Sequence, residues 1–313
     1  METVRWRVAI LVALYVVFLC GATVGECRDK QPDNTPPFLV ASSILPWGEF
    51  LQEMCGERCT VRVLIPPGAT PHTWSPSPSV LKDMVKARLF VYTGECLEPW
   101  VKDFIGAVIG GKAGGQKRDI EKWTLNVSRL SPNGCAKDPH LWLDFEFDQR
   151  VVLALSKRLS QIDPVGSLYY EERGMQLVAR LKALDDSFRK RLSGCRQKTV
   201  IIAGHNAFRR LATAYGLSTL SVMGISPDAH ITPRSLSRVI KFIREKGARA
   251  IFFDHAVTDR IAKIISQETG AKVLGLYIGV SMRAEDLMKG MGFFDMMEYD
   301  LNSLAEGLGC HAQ

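Results

Sequence analysis

Short runs of apolar, β-branched residues alternate with longer stretches whose apolar positions recur every three or four residues. Residues 38–44 form the first such run, and 46–55 follow at helical spacing. Residues 60–65 alternate as a strand, and 77–87 predict a helix with Ser77 at its cap and Pro78 in its first position. A strand over 88–92 and a helix over 98–109 come next. This β-α-β-α succession predicts a mostly parallel sheet covered by helices. The rhythm breaks over 110–137, where Gly110, Gly111, Gly114, Gly115, Pro132 and Gly134 predict a long surface loop holding one strand near 123–127. Irregular segments of that length are often functional.

Helical spacing resumes over 147–161 and 165–192, separated by Asp163-Pro164. The second stretch, of about 28 residues, corresponds to a helix ~40 Å long, enough to serve as a spine between two halves. Alternation restarts at 199–203 and runs through 206–215, 217–222, 232–246, 250–253, 258–269 and 272–276 to a final helix over 284–308. The expected fold class is α/β: two parallel-sheet α/β lobes joined by a single long backbone helix. The expected division is a signal peptide or N-terminal anchor at 1–25, a linker at 26–37, an N-terminal lobe at 38–162, the linking helix at 163–194 and a C-terminal lobe at 195–313.

The first residues bear on compartment. Arg5 and Arg7 precede the apolar run 8–19 and small residues through Gly25, a pattern of signal-peptide length and too short to span a bilayer comfortably. Cys20 follows Val17-Phe18-Leu19, similar to a bacterial lipobox except that Leu19 stands where a small residue is expected. Lipidation at Cys20, cleavage near Gly25 and retention as an anchor are the alternatives. Export is expected, with a periplasmic or extracytoplasmic location. The net charge of +7 comes from Lys and Arg mixed with acids along helical stretches such as 181–191 and 237–246, which predicts solvated faces and no nucleic-acid partner. Eight cysteines fit an oxidising compartment and structural bridges. Cys55 with Cys59, and Cys195 with Cys310, are candidate pairs, the connectivity being open.

Familiar catalytic devices are missing. The stretch 106–112 nearly satisfies a P-loop, but Ala113 stands where Ser or Thr must hold magnesium, and no His-Glu-x-x-His, Gly-x-Ser-x-Gly or dinucleotide fingerprint occurs. The six histidines say more. His72 follows the strand at 60–65 through a Pro- and Gly-containing loop, His140 stands in Asp138-Pro139-His140-Leu141-Trp142, and His205 follows the strand at 199–203. In open α/β sheets, ligands bind beyond the carboxyl ends of strands. A site shared by these three residues would lie in the cleft between the lobes.

Several motifs in one order resemble the zinc- and manganese-binding solute receptors of metal-uptake ABC transporters, the ZnuA/TroA-like group. They are Leu64-Ile-Pro-Pro-Gly-Ala-Thr-Pro-His72, Leu89-Phe-Val-Tyr-Thr-Gly94 with Leu97-Glu-Pro-Trp100, Asp138-Pro-His-Leu-Trp-Leu-Asp144, Gly204-His-Asn-Ala-Phe208, Gly224-Ile-Ser-Pro-Asp-Ala229 and Glu268-Thr-Gly-Ala-Lys-Val-Leu274. The resemblance, over about 38–308, implies a monomeric receptor that is not an enzyme and hands a divalent transition metal to a membrane ABC permease. It implies His72, His140 and His205 as ligands. The family's usual aspartate is replaced by Tyr277, so the fourth position falls to water, Tyr277, Asp254 or Asp228. Three imidazoles without that acid favour Zn2+ over Mn2+, which prefers oxygen donors. A three-histidine site with an open position also suits a zinc-dependent hydrolase, and an adhesin on the same scaffold is the other alternative.

Overall fold

The computed structural model describes residues 36–110, 119–225, 229–256, 258–280, 282 and 284–310. The expected leader at 1–25, Cys20 within it, and Asp228 lie outside these residues. Among the described residues no helix is long and apolar enough to cross a membrane.

Two four-stranded parallel sheets carry the structure. The first orders its strands β2-β1-β3-β4, from β1 (Phe38–Ser42), β2 (Cys59–Val63), β3 (Leu89–Tyr92) and β4 (Thr124–Asn126). The second repeats the same order as β6-β5-β7-β8, from β5 (Thr199–Ile202), β6 (Ser218–Ser221), β7 (Ala250–Asp254) and β8 (Lys272–Leu276). The inner strands are buried on both faces, so they read as unbroken apolar runs: every residue of β3 is buried. In each sheet the strand order reverses beside the first strand, between β1 and β3 and between β5 and β7. Such a switch point opens a crevice at the carboxyl ends of the strands.

The helices are α1 (Leu45–Cys55), α2 (Pro78–Met84), α3 (Val101–Ile109), α4 (Ile120–Trp123), α5 (Phe145–Ile162), α6 (Ser167–Ser193), α7 (Arg209–Ala214), α8 (Pro233–Lys246), α9 (Arg260–Thr269), α10 (Ala284–Met288) and α11 (Phe293–Leu308). The expected spine is α6. Its buried positions Tyr170, Gly174, Leu177, Leu181, Leu184, Phe188 and Leu192 recur every three or four residues and form one stripe. That stripe packs along α5 and also meets α1 from the first half and α11 from the second. Phe293 joins the halves directly, its ring 5.3 Å from Phe50 and 6.2 Å from Phe145, edge to face. Glu49 on α1 accepts a 2.6 Å hydrogen bond from the Phe293 amide at the start of α11. One apolar core thus runs from Phe38 to Leu308, and a smaller one around Ile243 and Ile251 covers the other side of the second sheet.

Several elements differ from expectation: α4 stands inside the expected loop, α2 stops at Met84, and the Ser77 side chain caps no amide of α2. The C-terminal helix expected over 284–308 is two helices, because Gly290 adopts a left-handed φ of 73° and Gly292 starts α11 with its amide held by Asp295. The helix expected from Glu98 begins at Val101, because the Glu98 carboxylate turns back to accept the amides of Thr93 and Gly94. Among the described residues three disulfides form: Cys55–Cys59, Cys96–Cys135 and Cys195–Cys310. The second, which the spacing gave no reason to pair, anchors the end of the long loop beside Gly94.

Candidate metal centre

The three histidines sit on three different loops at the carboxyl ends of strands. His72 follows β2 in a loop that turns at Pro66–Ala69 and again at Thr70–Trp74, through amide-to-carbonyl bonds of 3.1 and 3.0 Å. His205 follows β5, in a loop tied to the next strand-end by Asn206 N–H donating to Gly224 O at 2.8 Å. His140 is 1% exposed, and its loop is pinned on the second half by Trp142, whose indole N–H donates to Ile278 O at 2.5 Å. Gly279 stands at φ 88°, and a Cβ added there would lie 3.3 Å from that indole nitrogen.

The rings converge. Ring centres are 5.4 Å apart for His140 and His205 and 6.1 Å apart for His72 and His140. All three line one cleft of ≈ 340 Å³ whose walls come from both halves, including Leu97 and Trp142 from the first and Asp254, Ile278 and Val280 from the second. The Asp138 carboxylate holds His140, its Oδ1 lying 2.9 Å from the ring Nδ1 and accepting the His140 amide at 3.2 Å. With Nδ1–H donated to a carboxylate, the Nε2 lone pair is left to bind a ligand. Burial alone would raise the Asp138 carboxyl, but His140 and then Arg209 hold it below the ordinary carboxylate range.

Below the cleft the switch point of the first sheet encloses Glu98. Burial pushes its carboxyl up to about 7, against bonds from Gly94, Ser43 and Thr93 that favour the ionised form. The fourth-position candidates separate. Asp254 ends β7 and lines the cleft. Tyr277 does not line it: its ring stacks on His255, centres 4.6 Å apart, and its hydroxyl lies 3.2 Å from Asp286 Oδ2. His255 also reaches the Tyr299 hydroxyl at 2.9 Å, and His230 is exposed. Among the described residues no three His, Cys, Asp or Glu side chains already stand as a closed metal cage.

His205 is pushed down to about 3, first by burial and then by the charges of His140 and His72. An unfolded imidazole gains its proton from about pH 6.5 downward, whereas the folded one stays neutral to about 3. The unfolded state therefore binds more protons in that window, and stability falls as pH falls. Between pH 7 and 4 the metal-free protein is expected to lose roughly 3 kcal/mol more than a His205→Asn variant. Urea unfolding of both proteins at several pH values checks this, and parallel curves would contradict it.

Comparison with known proteins bears on the family of the chain. The family model described as zinc-uptake complex component A, periplasmic, matches residues 40–307. The high-affinity zinc uptake system protein ZnuA of Bacillus subtilis is 28% identical, over 94% of this chain and 97% of that protein. The zinc-binding lipoprotein AdcA of Streptococcus pneumoniae is 26% identical over 94% of this chain, which spans only 60% of AdcA. Among solved structures, the metal-dependent lipoprotein YcdH of Bacillus subtilis superposes with a TM-score of 0.74 at 29% identity, covering 87% of this chain and 99% of that one. The Zn(II)-bound ZnuA-like domain of Streptococcus pneumoniae AdcA gives 0.73 at 25% identity, with coverages of 87% and 99%. Two sheets of one strand order, a spine helix and a match over nearly the whole described chain lead to one assignment: the chain belongs to the ZnuA family of periplasmic zinc-uptake components.

Proposed function

We propose that the protein is an extracytoplasmic receptor that captures Zn2+ between its lobes with His72, His140 and His205 and delivers it to a membrane ABC permease. The observation that carries this reading is the convergence of three imidazoles from both halves on one cleft. In a tetrahedral zinc site with Zn–N near 2.0–2.1 Å, ring centres sit about 5 Å apart. The spacings of 5.4 and 6.1 Å are within about an ångström of that, a distance that small ring rotations cover. Asp254 lines the same cleft and supports a carboxylate or a water it holds at the fourth position; the Tyr277 hydroxyl is engaged with Asp286 instead.

Three nitrogen donors suit zinc better than manganese. The family is one of solute-binding proteins, and relatives named for zinc uptake and a Zn(II)-bound neighbour support zinc as the cargo. The reading includes a monomer with no enzymatic step and no nucleic-acid partner. It also includes an N-terminal lobe at 38–162, a linking helix at 163–194 and a C-terminal lobe at 195–313. Elemental analysis of the purified protein, followed by competition between the two metals, tests it. Zinc is expected to be retained and to displace manganese. Manganese held against excess zinc, or failure to bind either metal, would remove the assignment.

A further inference from the structure

The loop that carries His140 is gripped from the opposite half. Arg209 Nε donates to Asp138 Oδ2 at 3.2 Å and its Nη2 donates to Lys137 O at 2.6 Å. Arg210 adds Nη2 to Asp138 O at 3.3 Å and stands 3.6 Å from Asp144 Oδ2. Both arginines open α7, four and five residues past His205, so the contacts tie the His205 loop to the His140 loop. Asp138 divides its two oxygens between them: Oδ1 faces the His140 ring and Oδ2 faces Arg209. Of the two measured ring pairs, the one whose loops are tied in this way is the closer, 5.4 against 6.1 Å.

We propose that Arg209 and Arg210 form a clasp across the cleft, and that Arg209 acts through Asp138 as a positioning residue for the His140 imidazole. The proposal rests on the zinc-receptor reading of the cleft. Physically, a cation on Nε2 draws electron density from the ring and makes Nδ1–H a better donor. A carboxylate fixed in place then strengthens the ligand as it binds, which is how partners behind metal-bound histidines act. Arg209 fixes that carboxylate with a planar fork that also holds a backbone carbonyl. Lysine, a single flexible ammonium, can reproduce one of these contacts but not both in one geometry. The clasp therefore sets the ring orientation in one half from the other half.

The test compares zinc titrations and zinc loss to a chelator for the full chain and for Arg209→Ala, Arg209→Lys, Asp138→Asn and the Asp138→Asn/Arg209→Ala double variant. The Arg209 side chain is 40% exposed, so its replacement leaves the core intact. Arg209→Ala is expected to weaken zinc binding by about tenfold, within the range for residues behind metal ligands, and to speed zinc loss. Arg209→Lys should recover part of that, and in the Asp138→Asn background removing Arg209 should cost little more. The side-chain nitrogen resonances of His140 in the metal-free protein should shift in Arg209→Ala, a signature that a generally loosened fold does not give. Wild-type affinity and an unchanged His140 spectrum in Arg209→Ala would overturn the clasp, as would losses at 138 and 209 that simply multiply. Wild-type titration tests the receptor reading separately, because a wild type that binds zinc while Arg209→Ala matches it removes the clasp alone.

Discussion

Replacing His140 with alanine is expected to lower zinc affinity by more than about a hundredfold, since changing residues that merely support a ligand already costs 10–100-fold. The His140 ring lies 5.4 Å from that of His205 and 6.1 Å from that of His72, so its loss removes a donor close to both. The variant also strands Asp138, a 5% exposed carboxylate, which retains Arg209 as its partner. A buried acceptor that loses one of its bonds costs about 1–3 kcal/mol, so the metal-free variant should unfold at lower urea but still in one step. Calorimetric titration of zinc into folded His140→Ala, beside wild type, is the measurement. An unchanged titration would take His140 out of the site and with it the reason for the Asp138 arrangement.

The second large effect is on stability. Cys195–Cys310 closes 115 residues, Cys96–Cys135 closes 39 and Cys55–Cys59 closes 4. On the chain-entropy account these loops correspond to about 5, 4 and 2 kcal/mol respectively. The largest joins the end of the spine helix to the end of α11, where Gln197 N–H also donates to Leu308 O at 3.0 Å. Serine at both Cys195 and Cys310 is expected to cost about 5 kcal/mol, a large share of the ~5–15 kcal/mol typical of folded proteins. Urea midpoints of the three double-serine variants should fall in the order of loop length. A Cys55/Cys59 variant hit as hard as the Cys195/Cys310 one would show that local geometry and not loop closure dominates.

Most of the fold was legible because parallel strands buried on both faces leave continuous apolar runs, and helices leave a three-to-four-residue stripe. β1, β3, β5 and β7 follow from the first signal, and α5, α6 and α8 from the second. The failures are local competitions. Glu98 has good helix propensity, but its carboxylate satisfies two amides at a strand end, so α3 starts later. Gly290 and Gly292 end one helix and open another within a stretch whose composition is otherwise helical. At the site, strand-end logic makes His72 and His205 candidates, but the ligand set of His72, His140 and His205 comes from the family resemblance. Apart from Cys195 with Cys310, what the sequence did not carry is pairing across long separations. Arg209 meets Asp138 over 71 residues, and Cys96 meets Cys135 across α3 and the long loop. Asp138 and Arg209 look like any surface acid and base until the fold brings them together.

The shared interior through Phe50, Phe145 and Phe293 bears on how cargo leaves. Halves that bury aromatic rings in one another resist a clamshell swing, because opening would bring those rings into water. With a small closure, little of the free energy of capture would go into reshaping the receptor. On the receptor reading proposed above, releasing the ion would require prising Trp142 from Ile278, or the arginines from their acids, and docking to a permease would have to supply that work.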